Sequence, residues 1–150
     1  MNDYTHLIIF TDGASRNNPG SAAAAVHVVD ATTSATIMDL GFALGIMTNN
    51  EAEWTALLQA LRWLLKGQQL LAPDIQIAFR LDALLVVQQL AGRYAVTASN
   101  LQPIATAVRA CLRQLPGQYT IEHIPRKNNA HADRLANAIL DGRRQPNPML

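Results

Sequence analysis

Asp12, Glu53, Asp82 and Asp133 are the side chains of this sequence whose types and settings could do chemistry together. Asp12 ends the apolar run Leu7-Ile8-Ile9-Phe10-Thr11 and is followed by a glycine. Glu53 lies in the first turn of an amphipathic stretch, Asp82 follows the run Ile75-Gln76-Ile77-Ala78-Phe79, and Asp133 opens a last amphipathic stretch. Strand ends and helix starts are where a chain crosses from core to surface, so acids there can converge in one cleft. Convergent carboxylates repel one another unless cations hold them. Hard, oxygen-seeking ions such as Mg²⁺ suit them and bind phosphate as readily. The pattern therefore points to metal-dependent phosphoryl transfer. Taken singly, each acid also has a plain structural reading, because Asp-Gly is a common turn pair and an acid in a first helical turn favours the helix dipole.

The elements that must position these acids are legible in the periodicity. Residues 7–11 read as a buried strand, followed by a turn-rich stretch from Asp12-Gly13 to Asn17-Asn18-Pro19-Gly20. Residues 22–29 and 36–44 read as further strands, which predicts an antiparallel meander. Trp54, Leu57, Leu58, Leu61, Leu64 and Leu65 then follow helical spacing, with Asn49 or Asn50 as cap and Gly67 as stop. Residues 75–79 form a fourth strand and 83–90 a short helix. Leu101 to Leu115 carry a third helical pattern ended by Pro116-Gly117. Residues 119–124 make a fifth strand, and Ala132, Leu135, Ala136, Ile139 and Leu140 mark the last helix. The order β-β-β-α-β-α-α-β-α implies one mixed sheet with helices on its faces.

A chain of 150 residues, 49% apolar and 15% charged, makes one domain with a substantial core and excludes a disordered chain. The net charge of +1 neither demands nor forbids a nucleic-acid partner. Arg126, Lys127, Arg134, Arg143 and Arg144 crowd the last quarter, for which a solvated basic surface is the plainer reading. Cys111 is alone and packs as a small hydrophobe, and Trp54 and Trp63 are read as packing residues. No apolar run approaches the roughly 18 residues of a membrane span, and the start does not resemble a signal peptide. A reducing, cytoplasmic setting is expected.

Five segments carry a family likeness over nearly the whole chain. They are Phe10-Thr11-Asp12-Gly13-Ala14-Ser15 with Asn18-Pro19-Gly20; Thr48-Asn49-Asn50-Glu51-Ala52-Glu53 with Ala56-Leu57; Leu81-Asp82 with Val86-Val87; Asn100-Leu101; and Ile124-Pro125-Arg126 with Asn129, Asp133, Leu135 and Ala136. With these motifs in this order the chain resembles ribonuclease H of type 1. The resemblance implies an α/β fold of the RNase H kind: a five-stranded mixed sheet, three strands antiparallel and two parallel, with helices on both faces. It implies a catalytic domain over residues 1–142 and a flexible tail over 143–150.

It also implies an endoribonuclease that cuts the RNA strand of RNA–DNA hybrids and leaves 5′-phosphate and 3′-hydroxyl ends. Asp12, Glu53, Asp82 and Asp133 would hold two Mg²⁺ ions, or Mn²⁺ in their place, with Asp12 bridging both. Glu53 and Asp82 would serve one ion and Asp133 the other. Two ions about 4 Å apart supply both an activated water and a stabilised leaving oxygen. Ser15, Asn18, Asn49, Asn50 and Glu53 would line the groove that tests the 2′-hydroxyl, and Thr48 with Asn100 would form a phosphate pocket for the DNA strand. The expected partner is the hybrid, bound by a monomer, with no membrane and no protein partner implied.

Departures from the family pattern are specific. Ala83 and Leu84 stand where Ser and Gln are frequent. The connection over residues 91–99 is short and holds only Arg93, where many bacterial members carry a basic insertion. Three residues compete for the family's mobile group before the last acid. Arg126, in the subgroup motif Ile124-Pro125-Arg126, is preferred because a guanidinium meets phosphate bidentately. His123 is the alternative by ungapped counting, although its place in a strand favours a partly buried structural role, and His131 is the third. A DNA strand-transfer domain and a non-catalytic binding module are the rival readings, opposed by Asn49-Asn50 and by the presence of all four acids.

Overall fold

The computed structural model describes residues 3–142. Five strands form one sheet in the order β3-β2-β1-β4-β5, with β1 (Tyr4–Ser15), β2 (Gly20–Asp30), β3 (Thr36–Met47), β4 (Leu71–Leu81) and β5 (Gln118–His123). β1 pairs antiparallel with β2 and β2 with β3, while β4 runs parallel to both β1 and β5. The helices are α1 (Asn49–Lys66), α2 (Leu84–Leu90), α3 (Gln102–Gln114) and α4 (Ala130–Leu140). The expected mixed sheet and element order are those observed. The expected tail over residues 143–150, including Arg143 and Arg144, lies outside the described residues.

Two cores flank the sheet. Leu7, Ile9, Val26, Val28, Ile77 and Phe79 point to one face, where α1 and α3 bury Trp54, Leu57, Leu61 and Val108 against them. The other face is lined by Ala23 and Ala25, onto which α4 lays Ala132, Leu135, Ala136 and Ile139. Small residues let this helix sit low: a Cβ on Gly41 of β3 would come within 2.3 Å of Ile139 Cδ1. Trp54 is fully buried and donates its indole N–H to Gln89 Oε1 at 3.0 Å, tying α1 to α2. That geometry agrees with its reading as a packing residue.

Three local expectations are corrected. β1 does not stop at Thr11; it runs through Asp12-Gly13 to Ser15, held by pairing with β2 down to Ser15 opposite Ala22. Neither Asn49 nor Asn50 caps α1. Thr48 does, in a reciprocal pair: its hydroxyl accepts Glu51 N–H at 3.1 Å and Glu51 Oε1 accepts Thr48 N–H at 2.9 Å. Two bonds closing on one another outcompete a lone asparagine cap. His123 is not partly buried, because β5 ends there at the sheet edge and the side chain is exposed. No helix among the described residues is long and apolar enough to cross a membrane.

Candidate active site

The parallel register decides where the first and third acids meet. Leu81, the last residue of β4, pairs with Thr11, so Asp82 leaves the strand beside Asp12 while β1 continues. Asp12 therefore stands inside one strand at the point where its neighbour ends, and it is only 4% exposed. Glu53 arrives from the opposite face. A Cβ on Gly13 would lie 2.2 Å from the carbonyl carbon of Ala52 and 2.4 Å from Glu53 N, so only glycine admits this contact of β1 with α1. Gly13 N–H then donates to Glu53 Oε1 at 2.8 Å. One carboxylate oxygen each from Asp12, Glu53 and Asp82 lies within 4.8 Å of the others. Asp133, in the first turn of α4, lines the same cleft of ≈ 550 Å³.

Neighbours hold these acids in orientation. Buried Asn129 donates its amide both to Thr11 O, at 2.9 Å, and to Asp82 Oδ2, at 3.3 Å. Asn137 donates to Asp133 O at 2.9 Å and Asp133 Oδ1 at 3.2 Å. Arg126 reaches Asp133 Oδ1 at 3.6 Å with its side chain 81% exposed. The roles of Asn129, Asn137 and Gly13 were not read from the sequence. Asn129 stood in the last motif, which was the available signal. Asn137 follows Asp133 by one helical turn, a spacing that puts the two side chains on one face.

The electrostatics are those of a site short of positive charge. Burial, then the charges of Asp82 and Asp133, push Asp12 from 3.8 up to about 8. Burial and the charges of Asp12 and Asp82 raise Glu53 well above the carboxylate range, against the Gly13 N–H. Burial raises Asp82 too, opposed by the Asn129 hydrogen bond and Arg126. An all-oxygen donor set that repels itself fits a hard divalent cation and offers nothing to a soft one. Asp12, Glu53, Asp82 and Asp133 are the residues that would hold it.

The expected substrate residues divide. Ser15 and Asn49 line the cleft, with Asn49 Oδ1 accepting Ser15 N–H at 3.0 Å. Asn18 is adjacent, its Oδ1 accepting Asn49 N–H at 3.0 Å. Asn50 follows on the first turn of α1, half-buried and outside the cleft wall. Thr48 is engaged in its cap, and Asn100 is exposed in the turn before α3, so neither lines the cleft. Arg126 is at the cleft, and His123 is near enough for its charge to bear on Asp82. His131 is directed elsewhere, to Asp39 on β3, at 3.0 Å.

Residues 10–139 match the family model described as "Reverse transcriptase-like". A ribonuclease HI of Halobacterium salinarum is 35% identical over 132 residues, covering 88% of this chain and 63% of its own length. The crystal structure of RNase H1 from that archaeon superposes with a TM-score of 0.82 at 33% identity, covering 91% of this chain and 98% of that one. The chain belongs to the ribonuclease H family. A second structure of the family, LC11-RNase H1 in complex with an RNA/DNA hybrid, also superposes at 0.82 with 33% identity, covering 91% of this chain and 97% of that one. A bifunctional protein of Mycobacterium tuberculosis is 33% identical over 139 residues, 93% of this chain. The chain spans only 36% of that relative's length.

Proposed function

We propose that this chain is an endoribonuclease that hydrolyses the RNA strand of RNA–DNA hybrids at the cleft of Asp12, Glu53, Asp82 and Asp133, leaving 5′-phosphate and 3′-hydroxyl ends. The observation that carries the reading is the convergence of three carboxylates within 4.8 Å, with Asp133 in the same cleft, in a member of the ribonuclease H family. A relative crystallised with an RNA/DNA hybrid supports the substrate class.

Two Mg²⁺ ions, for which Mn²⁺ can substitute, are the proposed cofactors; when bound they supply an activated water and neutralise charge on the phosphate and leaving oxygen. The chain's own residues do the positioning. Gly13 N–H fixes one oxygen of Glu53, Asn129 turns Asp82, and Asn137 turns Asp133. Ser15 and Asn49 sit at the cleft where a minor-groove hydroxyl would be tested, with Asn18 and Asn50 beside them. Thr48 and Asn100 are proposed to face the DNA strand. Arg126 would meet a phosphate next to Asp133, a reading supported by its 3.6 Å approach to that carboxylate, with His123 as the alternative. The Ile124-Pro125-Arg126 motif and the short connection at 91–99 assign the chain to a subgroup lacking the basic insertion. We read it as a monomeric, cytoplasmic domain.

The test is cleavage of hybrid, duplex RNA and duplex DNA, each with and without Mg²⁺, with end-group analysis of the products. Cleavage of the RNA strand in hybrid alone, dependent on metal, is expected, and one 2′-deoxy substitution beside the cut should suppress cleavage there. Degradation of duplex DNA as fast as hybrid would overturn the reading in favour of a DNA-processing enzyme of the same fold.

A further inference from the structure

A second cluster of ligand-type side chains lies on the α4 face of the sheet. The antiparallel register puts Phe10, His27 and Asp39 in one row across β1, β2 and β3. His131, in the first turn of α4, comes down on that row. His27 Nδ1 is 2.7 Å from Asp39 Oδ1, and His131 Nε2 is 3.0 Å and 3.1 Å from the two Asp39 oxygens. The imidazoles stack with centroids 3.8 Å apart and 23° between planes. One nitrogen of each histidine and one oxygen of Asp39 lie within 4.8 Å of one another.

We propose that His27, Asp39 and His131 form a binding site for a transition-metal ion of the Zn²⁺ class, separate from the acidic cleft, that clamps the start of α4 onto β2 and β3. The ligand chemistry separates the two sites. Two imidazoles and one carboxylate suit Zn²⁺, whereas Mg²⁺ takes oxygen. Three protein ligands leave one tetrahedral position for water.

The geometry is near what such an ion needs. Bonds of about 2.0 Å in a tetrahedral site separate ligand atoms by about 3.3 Å. The distances to Asp39 are 2.7 and 3.0 Å, so these two pairs must open by roughly 0.3–0.6 Å to admit the ion. The stacked rings must also turn to aim both lone pairs at one point. His131, with its side chain 45% exposed, has room to do so. His27 is fixed in the sheet, with the Phe10 ring centroid 5.5 Å from its own. A neutral imidazole can hold its proton on either nitrogen, and a protonated nitrogen facing Asp39 can donate to the carboxylate. With the ion, each neutral ring carries its proton on the far nitrogen instead, so no oxidant or other reactant is needed. The clamp has a task, because Asn129, at the cap position before α4, makes no side-chain cap bond and the first turn of the helix carries Asp133.

The experiment is calorimetric titration of the chelator-stripped chain with Zn²⁺ in excess Mg²⁺, which occupies the acidic cleft, together with thermal melts. One Zn²⁺ per chain is expected, with a rise in melting temperature of roughly 5–10 °C at a hundredfold excess over Kd. His131→Ala and Asp39→Asn should each weaken binding at least ten-fold, while Asp12→Asn should bind as the parent does. Co²⁺ in place of Zn²⁺ should show the visible absorption of a tetrahedral nitrogen-ligated ion. Absence of heat and shift would overturn the proposal and leave the cluster a hydrogen-bonded fastening. Loss of binding in Asp12→Asn with retention in His131→Ala would overturn it by placing the ion in the acidic cleft.

Discussion

Gly13 and Glu53 are locked together by an absence and a bond: no Cβ can fit at Gly13, and its N–H holds Glu53 Oε1 at 2.8 Å. This one contact sets the height of α1 against β1 and points a carboxylate from one face of the sheet towards acids on the other.

Gly13→Ala should therefore damage fold and site together. A methyl 2.2 Å from the Ala52 carbonyl carbon must push α1 away. The overpacking should cost about 1–3 kcal/mol in a thermal or urea melt. Hybrid cleavage should fall further than stability explains, because Glu53 loses its anchor. Activity at parent level in a folded Gly13→Ala chain would refute the linkage.

The metal-free protein should lose stability as pH rises. Asp12 has its folded pKa raised from 3.8 to about 8, so over that window the folded state binds more protons than the unfolded state. Stability from this group is then present at the acid end and declines towards the upper end. Asp12→Asn should flatten that slope in chelator while abolishing cleavage. Mg²⁺ should raise the melting temperature most at the upper end, where it competes least with protons. Melts across the window, with chelator and with Mg²⁺, check both signs.

Asn129→Ala removes the amide that joins Asp82 to Thr11 O at a position 1% exposed. A buried carbonyl left unpaired costs about 1–3 kcal/mol. Loss of a group that orients a ligand should weaken Mg²⁺ dependence or turnover by roughly 10–100-fold. Cleavage measured against Mg²⁺ concentration distinguishes weaker metal binding from slower turnover.

Arg126→Ala should lower turnover ten-fold or more, about 1.4 kcal/mol of barrier. His123 ends β5 exposed, so His123→Ala should leave the melting temperature unchanged. If His123→Ala loses turnover and Arg126→Ala keeps it, their roles are exchanged.

Much of the molecule follows from local rules that act on neighbours in sequence. Alternating or continuous apolar runs mark all five strands, and three- and four-residue spacing marks the helices, because each element buries one face. Asp12, Glu53, Asp82 and Asp133 stand out for the same reason: each is a charge at or near the margin of an apolar element. Element limits were less legible. Pairing with Ala22 extends β1 to Ser15, and the reciprocal bonds of Thr48 and Glu51 start α1 one residue ahead of the expected asparagines.

What tertiary structure alone decided are the meetings between distant segments. The parallel register of β1 and β4 sets Asp82 beside Asp12, and a missing methyl at Gly13 lets Glu53 cross the sheet edge. The surroundings of His131 are of this kind as well. In sequence it neighbours Asp133; in space its ring faces Asp39 and His27. Successive residues on a helix point about 100° apart, so nearness in sequence does not set which face a side chain joins. That choice belongs to the packing of α4 on the alanines of β2, which turns Asp133 to the cleft and His131 to the sheet.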